Sequence, residues 1–342
     1  MKMNIVYLLE STVLCGGVKV VFRQAEALLK KGHRVLIVSP EPYPQWFKGN
    51  VLFEQKELFH IPLLRDFDHI IATTPLQVLY LYDNPQLRSK IYHLVQGYEG
   101  DYAEAVSSLP VIQKAYSLPV PKMTVSENLA ERLRQLYPER AFCSIGQGIE
   151  SQYFFPPQDI WTSNCDEIKN IIIIGPYPIS VKQIGPGLRA FSLAARKNEK
   201  LKLIRISTVD TQKQEEDIAD AAIQYHIHLL PEEVGEVLRQ EPAIFFSPSG
   251  PGEGFGLPAV EAMACGLPTV LTDIPSYRSF AVPCDYTLFV PHDNISLMAE
   301  ALCRLAWDKE ECSRLMKRGF DVAAGFSFEN VAAAIEGVLL NG

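Results

Sequence analysis

The chain has 342 residues, 47% of them hydrophobic and 21% charged, with 40 Asp and Glu against 32 Lys and Arg for a formal net charge of -8. That length exceeds one ordinary core and suits two α/β domains, and the composition is that of a globular protein rather than a disordered one. The acidic balance argues against nucleic acid as a partner, because phosphate backbones need clustered cations, yet it leaves room for a local basic pocket.

In chain order, Ile5 to Leu9 reads as a continuous apolar strand, too short and too soon interrupted by Glu10 for a signal peptide. A loop with Cys15-Gly16-Gly17 follows, then a helix with Val18, Val21, Phe22, Ala25, Leu28 and Leu29 on one face and Gly32 as its cap. Arg34 to Val38 is the next strand, which makes a β-loop-α-β unit and implies a parallel sheet covered on both faces. Strands are predicted at His69–Ala72 and Ile91–Val95, and Ser126 caps a helix that runs to Tyr137.

The stretch from Tyr153 to Lys169, with Pro156-Pro157 and then polar residues, is the linker candidate. A second α/β series begins with the four isoleucines of Asn170–Ile174. Helix Leu188–Arg196, strand Leu201–Ile206, helix Glu215–Gln224, strand Ile227–Leu229 and helix Glu233–Gln240 follow. Further strands are expected at Ala243–Phe246, Thr269–Thr272 and Thr287–Val290, and helices at Ser296–Trp307 and Glu329–Leu340. Two doubly wound sheets joined by a linker should face each other across a ligand cleft. No stretch approaches the roughly 18 apolar residues that span a bilayer. The seven Cys lack C-x-x-C or zinc spacing, so buried free thiols in a reducing cytoplasm are expected.

The most informative segment runs from Ser247 to Pro268. Glycines at 250, 252, 254 and 256 let backbone N–H groups approach an anion, and Pro258 suits a first helical turn. The helix N-terminus then offers a partial positive charge to a phosphate. Glu253 and Glu261, spaced E-x7-E, can accept hydrogen bonds from sugar or ribose hydroxyls.

With Glu-Gly-Phe-Gly-Leu-Pro-Ala-Val-Glu-Ala-Met-Ala-Cys-Gly-Leu-Pro and the Thr-Asp-Ile-Pro-Ser at 272 to 276, this segment resembles the family 4 glycosyltransferases and their GT-B relatives. The resemblance extends to the Gly16-Gly17 loop, Ser126-Glu127, Gly148-Ile-Glu150 and the closing Phe326-Ser-Phe-Glu-Asn-Val. It implies a GT-B fold of two Rossmann-like domains: an acceptor-binding domain over 1–155 and a nucleotide-sugar-binding domain over 166–325. The C-terminal helix, 326–342, is expected to pack on the first. The implied activity is transfer, with retention, of a hexose or deoxyhexose from a nucleotide-diphosphate sugar to a glycan or lipid-linked acceptor. In the roles it implies, Glu253 binds hydroxyls of the transferred sugar and Glu261 the ribose. Backbone groups of Phe255, Gly256 and Leu257 meet the distal phosphate, Gly16 and Gly17 form an opposing loop, and Lys182 stabilises the departing diphosphate. No metal or other cofactor is expected. The location is expected to be cytoplasmic, with a peripheral seat on the inner face of a membrane left open.

Three positions depart from the family. Gly175-Pro176 stands where Gly-Arg is usual, so the leaving-group site is weaker or draws on Arg189, Arg205 or a metal. Gln96 takes the place of a catalytic His, with His93 three residues before it, and Gln147 replaces an Asn. Two other readings stay open. Gly254-x-Gly256-x-x-Ala259 with Asp273 is a variant dinucleotide fingerprint, as in an NAD(P)-dependent oxidoreductase, and the chain could be an inactive binding module of the same fold. Asp66-Phe-Asp68 matches a metal-holding D-x-D, but it directly precedes a strand, where Asp is ordinary turn chemistry.

Overall fold

The structure is a computed structural model that describes residues 2–158, 168–219 and 221–341, and the elements named below are those of these residues. The chain divides into two compact units, Met1–Gly148 with Ser327–Gly342, and Ile149–Phe326. Of the expected linker, residues 159–167, with Cys165 and the expected domain start at 166, lie outside the described residues.

The first unit is built on strands β1 (Asn4–Leu8), β2 (Arg34–Ser39), β3 (Leu52–Gln55), β4 (His69–Ala72), β5 (Ile91–Val95), β6 (Lys122–Thr124) and β7 (Phe142–Ser144). They form one parallel sheet in the order β3-β2-β1-β4-β5-β6-β7. Ile5, Tyr7, Val35 and Ile37 point to one face, where helix Gly16–Lys30 presents Val18, Val21, Phe22 and Leu28. Helix Phe328–Asn341 returns from the far end of the chain to the same core through Val331, Ile335 and Leu339. Its approach is close: a β-carbon on Gly148 would lie 2.7 Å from the Phe328 backbone nitrogen.

The second unit holds β8 (Asn170–Ile174), β9 (Lys202–Ser207), β10 (Ile223–Ile227), β11 (Ala243–Ser247), β12 (Thr269–Thr272) and β13 (Leu288–Val290). This sheet is also parallel, in the order β10-β9-β8-β11-β12-β13. The order reverses between β8 and β11, and doubly wound folds bind ligands beyond the carboxyl ends of the two strands flanking such a reversal. Burial on both faces explains why β8 reads as an unbroken run of isoleucines.

The region after β9 corrects the expected helix Glu215–Gln224 and strand Ile227–Leu229. The helix is one short turn, Gln212–Glu216, and the strand begins at Ile223. Glu215 is drawn inward to the Arg205 guanidinium, while Ile223, Tyr225 and Ile227 alternate as an edge strand paired with β9. A second correction concerns hydropathy. Within Lys309–Asn341 an 18-residue window is apolar enough, by length and composition alone, to cross a membrane, with mean hydropathy 1.3. The run consists of two helices, Lys309–Ala323 and Phe328–Asn341. Cys312 and Leu315 of the first lie in the second unit's core, and Val331 and Ile335 of the next lie in the first unit's core. Core packing accounts for part of the apolarity, with 39% of the most apolar window buried.

Candidate active site

Both loops at the β8/β11 reversal carry a residue singled out by the sequence. After β8, Gly175 takes φ +144, a conformation that side chains disfavour, and the Lys182 stem lies over it. Lys182 ends a short 3-10 turn, Ser180–Lys182. After β11, the loop 248–256 leads into helix Leu257–Ala264. Within it Glu253 N–H donates to the Gly250 carbonyl at 3.0 Å, and Gly250 N–H donates to the Val181 carbonyl at 2.8 Å, so the two loops are stitched through their backbones.

That stitching brings Lys182 Nζ within 2.7 Å of Glu253 Oε2. Ser249 Oγ donates to the same oxygen at 3.0 Å, which leaves Oε1 without a hydrogen bond among the described residues. A short chain of hydroxyls sets Ser249: its Oγ lies 3.2 Å from Ser247 Oγ, which is 2.6 Å from the Tyr277 hydroxyl. Thr272 Oγ1 donates to the Ser249 carbonyl at 2.5 Å. Burial first, and then the Glu253 charge, hold the Tyr277 phenol well above its ordinary pKa, so it stays a neutral hydrogen-bonding group. The lysine keeps about a quarter of its side-chain surface exposed and the glutamate about a tenth, at 24% and 9%. The pair is therefore open to a ligand on one side.

Beside it, Gly256 starts helix Leu257–Ala264 at φ 90, with no side chain capping the first turn. A β-carbon there would lie 2.3 Å from the Tyr277 ring, so both backbone sign and space demand glycine. Phe255 is buried against Phe280 and Phe326, which leaves its backbone, not its ring, for any ligand. Leu257 opens the helix with Pro258 behind it, and Glu261 lies 4% exposed in the second turn. A cation, a carboxylate oxygen and an uncapped helix N-terminus thus converge, a combination suited to a diphosphate and a polyol together.

In the first unit, Gly16 and Gly17 begin helix Gly16–Lys30, again with no side-chain cap at Cys15. Gln96, just beyond β5, donates its Nε2 to the Gly17 carbonyl at 3.1 Å. These three candidates therefore meet. His93 does not join them: it is wholly buried within β5, its ring 5.2 Å from that of Tyr116. Burial and then the Lys122 charge push it down to about 3, so it is a neutral core histidine.

Residues 168–322 match the family described as glycosyl transferases group 1. No curated protein sequence matches the chain. Among solved structures, Anabaena HepE in complex with UDP and glucose aligns with a TM-score of 0.80 at 12% identity, covering 99% of this chain and 100% of that one. A sucrose-phosphate synthase from Thermosynechococcus elongatus gives 0.77 at 17% identity over 99% of each chain. WaaG, a glycosyltransferase involved in lipopolysaccharide biosynthesis, gives 0.72 at 14% identity, over 99% of this chain and 100% of its own. These likenesses show a GT-B fold of two Rossmann-like parallel-sheet units, and the second unit carries the family match.

Several open points close within this GT-B chain. Arg205 cannot stand in for the cation missing at Pro176: it is fully buried, doubly bonded to Glu215, and donates to the carbonyls of Ile173, Gly175 and Ile206. Arg189 is exposed on helix Ile184–Lys197 and lines a cavity of about 460 Å³ with Ser180, Gln183, His292 and Asp293. Asp273, the acid of the dinucleotide reading, is held by both arms of Arg278 at 2.7 and 2.8 Å. Asp68 accepts from the backbone and side chain of Asn4, each at 2.9 Å, which is strand-entry chemistry. Sequence reasoning missed Ser249 and Tyr277. Alternating serines after a buried strand were the available signal for the first, and nothing local pointed to the second.

Proposed function

We propose that this GT-B chain binds a nucleotide-diphosphate sugar on its second unit and transfers the hexose or deoxyhexose, with retention, to a glycan or lipid-linked acceptor held by the first. The observation that carries this is the Lys182–Glu253 contact at the β8/β11 reversal, beside the uncapped start of helix Leu257–Ala264. A diphosphate seated at that helix start is stabilised by backbone N–H groups and competes with Glu253 for the Lys182 ammonium. As the bond from the anomeric carbon to the diphosphate oxygen breaks, negative charge grows on the departing oxygen. Lys182 stabilises the charge where it develops. Glu253, held by Ser249, accepts hydrogen bonds from hydroxyls of the sugar through Oε1 and keeps the ring in place. The acceptor hydroxyl forms the new bond to the anomeric carbon and passes its proton to the departing diphosphate oxygen. No covalent intermediate, metal or further cofactor is assigned. The named complexes of HepE with UDP and with UDP-glucose support a nucleotide-linked donor. A cytoplasmic site of action, against the inner face of a membrane where the acceptor is lipid-linked, belongs to the same proposal.

A thermal-shift panel with UDP, GDP, dTDP, CMP, NAD and NADP tests it. A nucleotide at about 100 times its dissociation constant adds roughly 2.7 kcal/mol of stability. A shift with one nucleoside diphosphate is expected and names the donor's carrier. A shift with NAD or NADP alone would replace the reading with an oxidoreductase, and no shift at all would leave an inactive module.

A further inference from the structure

Next to Lys182 the backbone does something costly. Gln183 sits at φ 47 and ψ 38, in the left-handed region where a β-carbon crowds the chain and where glycine or asparagine is at home. Such outliers persist where function retains them, and the question is what the side chain gains. Capping is not the answer, because Gln183 precedes helix Ile184–Lys197 without a side-chain cap bond. Internal hydrogen bonding is not the answer either, since the amide makes none among the described residues. Its position is nonetheless defined. A β-carbon on Gly250 would come within 2.7 Å of Gln183 Nε2, so the amide lies over the glycine that opens the Gly250–Glu253 turn. On its other side it lines the 460 Å³ cavity with Ser180 and Arg189.

We infer that Gln183 is a specificity-determining residue that reads one hydroxyl of the donor's sugar ring while Glu253 holds others. The inference rests on the transferase reading above. An amide supplies both a donor and an acceptor, as a sugar hydroxyl does, and an epimer turns that hydroxyl away from it. Sites that hydrogen-bond a hydroxyl discriminate against substrates that misplace it, because the protein's polar group is then left unpaired. The left-handed backbone is what swings the amide over Gly250 rather than along the helix axis.

The test compares the wild type with Gln183→Gly and Gln183→Ala. Release of nucleoside diphosphate is followed with the epimer pairs UDP-glucose and UDP-galactose, GDP-glucose and GDP-mannose, and dTDP-glucose and dTDP-galactose. Melting temperatures are measured alongside. The wild type should prefer one member of a pair, and both variants should shrink that kcat/KM ratio about tenfold or more. Gln183→Gly should also melt roughly 2–4 °C higher, by relieving the backbone, whereas Gln183→Ala should not. An unchanged ratio in a working enzyme, a wild type indifferent to every pair, or a less stable Gln183→Gly would each overturn the role. A wild type that turns over none of the six donors and is not stabilised by UDP, GDP or dTDP would instead remove the transferase reading, and this role with it.

Discussion

Two cation–carboxylate pairs sit at the same edge of the second sheet, and they are built for opposite ends. Arg205 and Glu215 have side chains 0% and 1% exposed, and the guanidinium also holds three backbone carbonyls. Lys182 and Glu253 share a single contact, are 24% and 9% exposed, and leave one carboxylate oxygen unspent among the described residues. The pairs are connected: Arg205 grips the Gly175 carbonyl from below while the Lys182 stem lies over the same glycine. A charge that is fully partnered fixes the loop, and a charge that is partly partnered is left to do chemistry from it. Counting ion pairs would treat them alike; counting unspent hydrogen-bonding capacity separates them.

The contrast can be broken most forcefully at the buried pair. Arg205→Met strands Glu215 without its counter-charge and should cost about 3–5 kcal/mol of stability, read by urea or thermal unfolding. Unchanged stability would mean that the pair is not what holds the β8 loop. At the open pair the loss should move from stability to rate. Lys182→Ala and Glu253→Ala should each lower kcat about 10²–10³-fold while stability stays within roughly 1 kcal/mol of wild type. Wild-type turnover in both would remove the site assignment. The smallest effect belongs to His93, a buried titratable group with no ion partner. Burial holds its folded pKa at about 3, below the ordinary 6.5 of a histidine, so only the unfolded chain takes up a proton as pH falls below 6.5. Its contribution is therefore intact above pH 6.5 and drains away between there and about 3, amounting to about 2 kcal/mol by pH 5. His93→Leu should flatten the stability curve between pH 6.5 and 5, and an undiminished slope would place the acid sensitivity elsewhere.

Much of the fold was legible because buried parallel strands are written as apolar runs. The isoleucines of β8, the phenylalanines of β11 and the periodic face of helix Gly16–Lys30 needed no tertiary knowledge. Edge strands were harder. β3 and β10 are half-exposed and short, and in β10 the alternation of Ile223, Tyr225 and Ile227 is preceded by a stretch with helical spacing. Helix Lys309–Ala323 could have been read from Cys312, Leu315, Met316, Gly319 and Val322. At the site, Glu253 stood out because a carboxylate in a glycine-rich loop has little structural work. That Lys182 touches it, 71 positions away, follows only from β8 and β11 being neighbours while β9 and β10 take the detour. Gln183 illustrates the opposite limit: no propensity argues for glutamine at a left-handed position, so only the three-dimensional structure exposes it.

The return of helix Phe328–Asn341 to the first sheet has a kinetic consequence. On a ribosome, β1 to β7 emerge long before Val331, Ile335 and Leu339, so their core stays incomplete throughout synthesis of the entire second unit. The second unit, contiguous from Ile149 to Phe326, has no such wait and can close first. The segment made earliest is thus among the last to be sealed, and until then the groove beside helix Gly16–Lys30 is a place where a chaperone finds exposed aliphatic side chains.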